Sequence, residues 1–181
     1  MVKALNAVIG VQGVAQAYDP AYVAALAQEA LAKGDATKGK KVFQMPTVSC
    51  VACHAVDGIA SAAGPIKGPN LSAVAAGLPI DLIVESVLWP ARQIKEGYEA
   101  VTITTKDGRF HSGFLHAADK KTISIRDLAS GATVVVPATN LASRSKAQTV
   151  MPPGLTDSLT RDELRDLIKY LSTLKNSGSP N

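Results

Sequence analysis

The stretch Cys50-Val51-Ala52-Cys53-His54 decides how the rest of this sequence is interpreted. It holds both cysteines of the 181-residue chain and one of its three histidines. Two thiols one turn apart can form thioethers with the two vinyl groups on one side of a porphyrin, and the adjacent imidazole can then reach the iron. The pattern C-x-x-C-H therefore predicts one covalently attached haem, bound through Cys50 and Cys53, with His54 as an axial iron ligand.

Three other kinds of site use closely spaced cysteines. A thioredoxin-like dithiol follows a strand in a βαβ unit, and the residues before Cys50 do not form that pattern. A structural zinc site needs further cysteine or histidine ligands, and the sequence has no second pair. A disulfide between Cys50 and Cys53 would leave His54 without a role. Haem attachment is therefore the preferred interpretation.

Four segments carry helix start signals, either a capping Asp or Thr or an early proline. The last of them begins with a capping box between Thr160 and Glu163 and continues with an apolar stripe. The helices are predicted over Asp19-Pro20 to Lys33, Ala36 to Gln44, Leu78-Pro79 to Leu88, and Thr160 to Leu174. The first should stop at Gly34 and pack on the haem domain or a missing neighbour, through the side that carries Tyr22, Val23, Leu26, Ala30 and Leu31.

The segment between Tyr98 and Ser143 has a different period. Glu99 to Thr105 alternates and is rich in β-branched residues, and Asp107-Gly108 is a typical turn. Three further strands are predicted over Phe110 to His116, Thr122 to Arg126 and Thr133 to Pro137. We therefore expect a meander of about four strands, curled as a small antiparallel sheet or barrel.

A haem held by His54 needs a ligand on the other face of the iron, and Met151 is the best candidate. It lies in Val150-Met151-Pro152-Pro153-Gly154-Leu155, where the prolines stiffen an extended loop that can present a thioether. Met1 is terminal and Met45 lies close before Cys50, so neither competes well. The alternative is that Met151 fills a gap in the core.

Three side chains that flank the β segment are further candidates for haem contact. Trp89, Arg92 and Tyr98 carry an indole, a guanidinium and a phenol that can donate hydrogen bonds to haem propionates. An arginine or tryptophan in such a place is just as often structural.

Taken together, these motifs resemble those of class I cytochromes c. More narrowly, the stretch from about Gly34 to Leu174 resembles the haem-binding domain found in planctomycete and verrucomicrobial proteins. The residues that carry the resemblance are Gly39, Phe43, Cys50 to His54, Gly68-Pro69-Asn70-Leu71, Gly97-Tyr98-Glu99, Lys106-Asp107-Gly108-Arg109, Met151-Pro152-Pro153-Gly154-Leu155 and Leu167-Ile168-Lys169-Tyr170-Leu171.

The resemblance implies axial ligation by His54 and Met151 and a hydrogen bond from the His54 ring to the carbonyl of Pro69. It also implies that Gly39 and Phe43 pack against Tyr170 where two helices cross. The expected fold is mainly α, a class I cytochrome c fold, with an inserted small antiparallel β-sheet or barrel, α+β overall. The expected haem-binding residues are Cys50, Cys53, His54, Pro69, Asn70, Leu71, Trp89, Arg92, Tyr98 and Met151, and the expected iron ligands are His54 and Met151.

The chain is expected to have three parts. Residues 1–33 form an N-terminal helical extension or linker, 34–97 and 144–181 the haem domain, and 98–143 the inserted β subdomain. Met1 to Ala17 loosely imitates a secretory signal peptide, the alternative being a helical linker. Haem attachment requires export, so the expected location is periplasmic or exported. The domain resembled often closes a large exported protein, so this chain is expected to be an excised fragment or a stand-alone member.

The function implied is outer-sphere electron transfer by a mono-haem cytochrome, not enzymatic catalysis. The alternative is a haem-based sensor or peroxidase-like domain in which a small ligand displaces Met151. The β subdomain is expected either to shield a haem edge or to dock a partner. A net charge of +4 favours an acidic redox partner or a neighbouring domain. Dispersed lysines and an aromatic content of 4% argue against nucleic acid. No apolar run approaches the about 20 residues that span a bilayer, and the sequence leaves the oligomeric state open.

Overall fold

The computed structural model describes residues 17–59 and 67–175. The signal-like segment therefore lies almost wholly outside the described residues. The described residues form five α-helices, two short 3-10 helices and one five-stranded antiparallel sheet. The predicted α+β class is therefore confirmed. No helix in the described ranges is both long and apolar enough to cross a membrane. The helices are α1 (Pro20–Lys33), α2 (Ala36–Phe43), α3 (Val74–Gly77), α4 (Ile80–Leu88) and α5 (Arg161–Thr173).

The helices begin where the capping signals predict. The Asp35 carboxylate accepts from the backbone N–H groups of Thr37 (2.8 Å) and Lys38 (3.1 Å) and starts α2. Thr160 and Glu163 form both hydrogen bonds of the capping box at the start of α5. Each cap satisfies N–H groups that have no partner within the helix, which is why such short-range signals locate helix starts well.

Helices α1, α2, α4 and α5 share one apolar core. The prediction that α1 packs on the other helices is confirmed, because Val23, Leu26, Ala27 and Ala30 are buried in this core. Leu31, predicted on the same side, is instead 56% exposed. Each residue turns the helix by about 100°, so Leu31 lies well away from the stripe that Leu26 and Ala30 define.

Helices α2 and α5 cross at Gly39, as the resemblance implied. A Cβ atom on Gly39 would overlap the backbone carbonyl of Asp166 and lie 2.7 Å from the Cβ of Tyr170. One turn later, the rings of Phe43 and Tyr170 have centroids 5.7 Å apart. The missing side chain of Gly39 thus lets the two backbones approach closely.

A buried carboxylate joins the same two helices. Asp166 is 4% exposed and accepts from the backbone N–H of Asp35 (3.0 Å) and from Nη2 of Arg165 (3.1 Å). We expect Asp166→Ala to lower the free energy of unfolding by about 2 kcal/mol, because it leaves the Asp35 N–H without an acceptor. Asp166→Asn keeps an oxygen at this position and should lose clearly less in the same urea titration. Equal losses in the two variants would contradict this assignment.

The sheet lies between α4 and α5 in the sequence and has its own apolar core, formed by Val101, Ile103, Ile123, Ile125 and Val136. The strands are β1 (Ala100–Thr105), β2 (Phe110–Ala118), β3 (Thr122–Asp127), β4 (Thr133–Pro137) and β5 (Leu141–Arg144). Their order in the sheet is β4-β3-β2-β1-β5. The predicted meander of about four strands was incomplete, because β5 also pairs with β1, on the side away from β2.

The sheet is curled. Val136 pairs with Ile123, which pairs with Ala118 at the far end of β2 from Arg109. Val136 and Arg109 nevertheless line one concavity of about 240 Å³. These two residues can meet only if the sheet bends round on itself, while β4 and β5 remain its edges.

Candidate functional site

The segment around the two cysteines forms a single tight turn. Cys50–Ala52 is a 3-10 helix, and the N–H groups of Cys53 (3.2 Å) and His54 (2.9 Å) both donate to the carbonyl of Cys50. The preceding residue, Ser49, has a left-handed backbone (φ 55°), the only positive φ at a non-glycine position among the described residues. This reversal turns the chain directly before Cys50, and the two hydrogen bonds to the Cys50 carbonyl hold Cys50, Cys53 and His54 in one turn.

The Cys50 thiol is not activated as it would be in a reactive dithiol. Cys50 and Cys53 are not joined in a disulfide, and both are half-buried. Burial raises the pKa of the Cys50 thiol to about 11, whereas a nucleophilic cysteine needs a depressed pKa. Nor do the described residues contain a cluster of three or more His, Cys, Asp or Glu side chains that could hold a metal ion, as a zinc site would require.

The imidazole of His54 is fixed in one orientation. Its Nδ1–H donates to the carbonyl oxygen of Pro69 at 2.9 Å, the hydrogen bond that the resemblance implied. A carbonyl can only accept, so the proton lies on Nδ1 and the lone pair is left on Nε2. Burial lowers the pKa of His54, opposed by the bond to Pro69. The hydrogen bond thus favours the Nδ1–H tautomer, which can bind a metal through Nε2.

Gly68 lies flat against this ring. A Cβ atom there would be 2.5 Å from Cε1 and 2.7 Å from Nδ1 of His54. The Gly68 N–H donates to the carbonyl of Cys53 (2.9 Å), and the Leu71 N–H donates to that of Ala55 (2.8 Å). The candidate residues Pro69 and Leu71 therefore lie beside the cysteine turn, while Gly68 was missed as a site residue although the Gly-Pro pair was visible in the sequence.

Asn70 closes the same loop. Its Oδ1 accepts from the N–H of Ser72 (2.8 Å), and the buried hydroxyl of Ser72 accepts from the N–H of Asp57 (2.8 Å). The observed contact of the Asn70 side chain is thus to its own loop. A haem contact by Asn70 stays a prediction.

Trp89 and Arg92 contact α1 and the segment before it. The indole of Trp89 packs edge-on against Tyr18 (5.3 Å between centroids) and Tyr22 (6.4 Å). The Arg92 guanidinium lies 3.4 Å from the ring centroid of Tyr18, and its Nε donates to Glu85 at 3.3 Å. These contacts give both residues a packing role, and their hydrogen bonds to propionates stay predictions.

Tyr98 contacts the sheet rather than the helices. Its ring packs edge-on against Phe114 of β2, with centroids 5.3 Å apart, and Arg126 of β3 lies 5.9 Å from its centroid. The structure therefore brings Tyr98 to the sheet, and a haem contact by this residue also stays a prediction.

Met151 is half-buried in the loop between the sheet and α5. Its N–H donates to the hydroxyl of Thr149 at 3.1 Å, and Gly154 turns the chain shortly afterwards with φ 81°. The pairing of His54 and Met151 across an iron stays a prediction.

The cytochrome c family model matches residues 36–175, from the start of α2 to just beyond α5. The chain belongs to the cytochrome c family. It therefore carries covalently bound haem c with its iron and acts in haem-based electron transfer. No curated protein matches this cytochrome.

The residues of the cytochrome fit this group. Two unpaired thiols lie in one turn, and the neighbouring imidazole keeps the lone pair of Nε2 available. Because Gly68 has no side chain, it leaves space beside the His54 ring that a larger residue would occupy. Cys50 and Cys53 would hold the porphyrin, and His54 would bind the iron.

Proposed function

We propose that this cytochrome is a mono-haem electron carrier of class I, whose iron is ligated by His54 and Met151 and whose function is outer-sphere electron transfer. The observation that carries the proposal is the His54 ring, which is oriented by the Pro69 carbonyl and directly follows the turn that holds both cysteines. This is the arrangement that an axial histidine requires.

When bound, the haem supplies a one-electron couple between ferrous and ferric iron. The protein contributes the ligand positions and their rigidity. Two ligands from the chain leave no position for a substrate, and ligands that stay bound in both oxidation states keep the reorganisation small. The carbonyl of Pro69 holds His54 in one tautomer, and the packing of Gly68 against the ring limits its rotation.

We propose that residues 34–97 and 144–181 form the haem domain, that 98–143 is an inserted β subdomain of the planctomycete and verrucomicrobial type, and that 1–33 is an N-terminal extension. The two separate apolar clusters, one among the helices and one within the sheet, support the division between the haem domain and the β subdomain, while α1 shares the helical core. Ala100 of β1 also pairs with Gln148, so the sheet extends a few residues beyond the proposed boundary after residue 143. The location proposed is periplasmic or exported, with a redox protein or a neighbouring domain as partner.

The ligand assignment is tested by the weak near-infrared sulfur-to-iron band of the ferric protein. The wild type should show the band, and Met151→Ala should lose it completely because no thioether then reaches the iron. Met45→Ala is the matched control, since Met45 is also half-buried and packs against the helical core. That variant should lose some stability and keep the band.

Loss of the band in Met45→Ala and its retention in Met151→Ala would replace Met151 by Met45 as the ligand. A wild type that lacks the band and binds small ligands readily would favour a haem sensor or a peroxidase-like domain. In that case the iron would have an open coordination position.

A further inference from the structure

The segment between β5 and Met151 is hydrogen-bonded to β1, on the side of β1 that also pairs with β5. After β5, the Ser145 N–H donates to the carbonyl of Thr102 at 2.9 Å, and the Thr102 N–H donates to the Ser145 hydroxyl at 3.0 Å. Ala100 and Gln148 then exchange two backbone hydrogen bonds, of 2.8 and 3.0 Å. The chain before Met151 is thus paired with the sheet as far as Gln148.

The next contact joins this bridge to Met151 itself. The hydroxyl of Thr149 accepts from the N–H of Met151 at 3.1 Å, and both residues are half-buried. The hydrogen bond fixes the backbone of Met151 relative to Gln148. The position of the Met151 backbone is therefore coupled to the first strand of the sheet.

The other end of the loop leads into α5 through a tight turn. Gly154 adopts φ 81°, the Asp157 N–H donates to its carbonyl at 3.1 Å, and Thr156 beyond it is buried. The capping box at Thr160 then starts the helix. The loop that contains Met151 thus lies between the sheet on one side and α5 on the other.

We infer that the sheet positions the methionine ligand, with the Ala100–Gln148 bridge and the Thr149 hydroxyl holding the Met151 backbone ready for the iron. The inference rests on the proposed ligation by Met151. A free loop would lose conformational entropy each time the thioether bound, whereas an anchored loop has already lost most of it. The β subdomain is then part of the electron-transfer site, because it sets how firmly Met151 stays on the iron.

The test is a titration of the ferric holoprotein with imidazole, which competes with Met151 for the iron. Loss of the near-infrared band gives the apparent dissociation constant. Thr149→Val removes the acceptor with little change of shape and should bind imidazole about fivefold more tightly, as the loss of one hydrogen bond predicts. Gln148→Pro removes a donor of the bridge and should shift the constant in the same direction.

Two variants serve as controls. Thr149→Ser keeps a hydroxyl at the same place and should restore the wild-type constant. Ser130→Ala removes a hydroxyl that donates to Asp127 (2.8 Å) in the turn between β3 and β4. It perturbs the same sheet away from the bridge and should leave the constant unchanged.

The outcomes separate this inference from the proposal on which it rests. A wild type with the band, together with unchanged imidazole binding in both Thr149→Val and Gln148→Pro, would overturn the positioning role and leave Met151 as the ligand. A wild type without the band would overturn the ligation itself, and the positioning role with it. Equal tightening in Ser130→Ala and Thr149→Val would show a general loosening of the sheet and would also overturn the inference.

Discussion

Gly39→Ala is expected to destabilise the cytochrome by about 3 kcal/mol of unfolding free energy. The added Cβ would overlap the backbone carbonyl of Asp166 and lie 2.7 Å from the Cβ of Tyr170. A flexible side chain could rotate away, but the Asp166 carbonyl belongs to the α5 backbone. Helices α2 and α5 must therefore separate, and the contact between Phe43 and Tyr170 must loosen.

The measurement is a urea denaturation of the holoprotein, followed by far-ultraviolet circular dichroism. Gly77→Ala is the matched control, because Gly77 ends α3 and a Cβ there would have no neighbour within 4 Å. It should be neutral or slightly stabilising, as alanine favours helical backbone over glycine. Similar midpoints for Gly39→Ala and wild type would mean that the two helices tolerate a wider crossing than the structure has.

Gly68→Ala is expected to act directly on the proposed haem ligand His54. Its Cβ would lie 2.5 Å from Cε1 of His54, and the segment cannot easily retreat because the Gly68 N–H is bonded to Cys53 and that of Leu71 to Ala55. The imidazole must therefore tilt and weaken its bond to Pro69. We expect a loss of about 2 kcal/mol in unfolding free energy and a larger high-spin fraction in the ferric optical spectrum.

Pro69→Ala is the control for this result. It removes the pyrrolidine ring but keeps the backbone carbonyl that accepts from His54, so its ferric spectrum should stay close to that of the wild type. An unchanged spectrum in Gly68→Ala would show that the ring has room to move. A change in Pro69→Ala as large as that in Gly68→Ala would mean that loop stiffness, not the space beside His54, controls the ligand.

The features that could be predicted from the sequence depend on short-range interactions. Asp35, Pro20 and the Thr160–Glu163 box act within one helical turn, so the starts of α1, α2 and α5 were predicted well. The cysteine turn is likewise a local unit, in which the spacing of thiols and imidazole is fixed by the order of the residues. The bond from His54 to Pro69 came from the resemblance and is present in the structure.

The features that were missed depend on pairing with distant residues. Leu141–Arg144 is short and polar and forms a strand only because β1 offers a free edge. The close approach of Gly68 to His54 depends on how the later loop folds back over the cysteine turn. Leu31 is an exception, because helical geometry alone places it well away from the stripe of Leu26 and Ala30, and it is exposed.

The sequence by itself predicted a covalently attached haem with Cys50, Cys53 and His54 as its first site residues, and it determined where the capped helices start. Spacing and capping are properties of neighbouring residues and need no knowledge of the fold. Only the tertiary structure decided that a glycine keeps room for His54 and that the approach to Met151 is bound to the first strand of the sheet through Ala100 and Gln148. Those contacts join residues far apart in the chain, and their partners are set by the packing of whole elements.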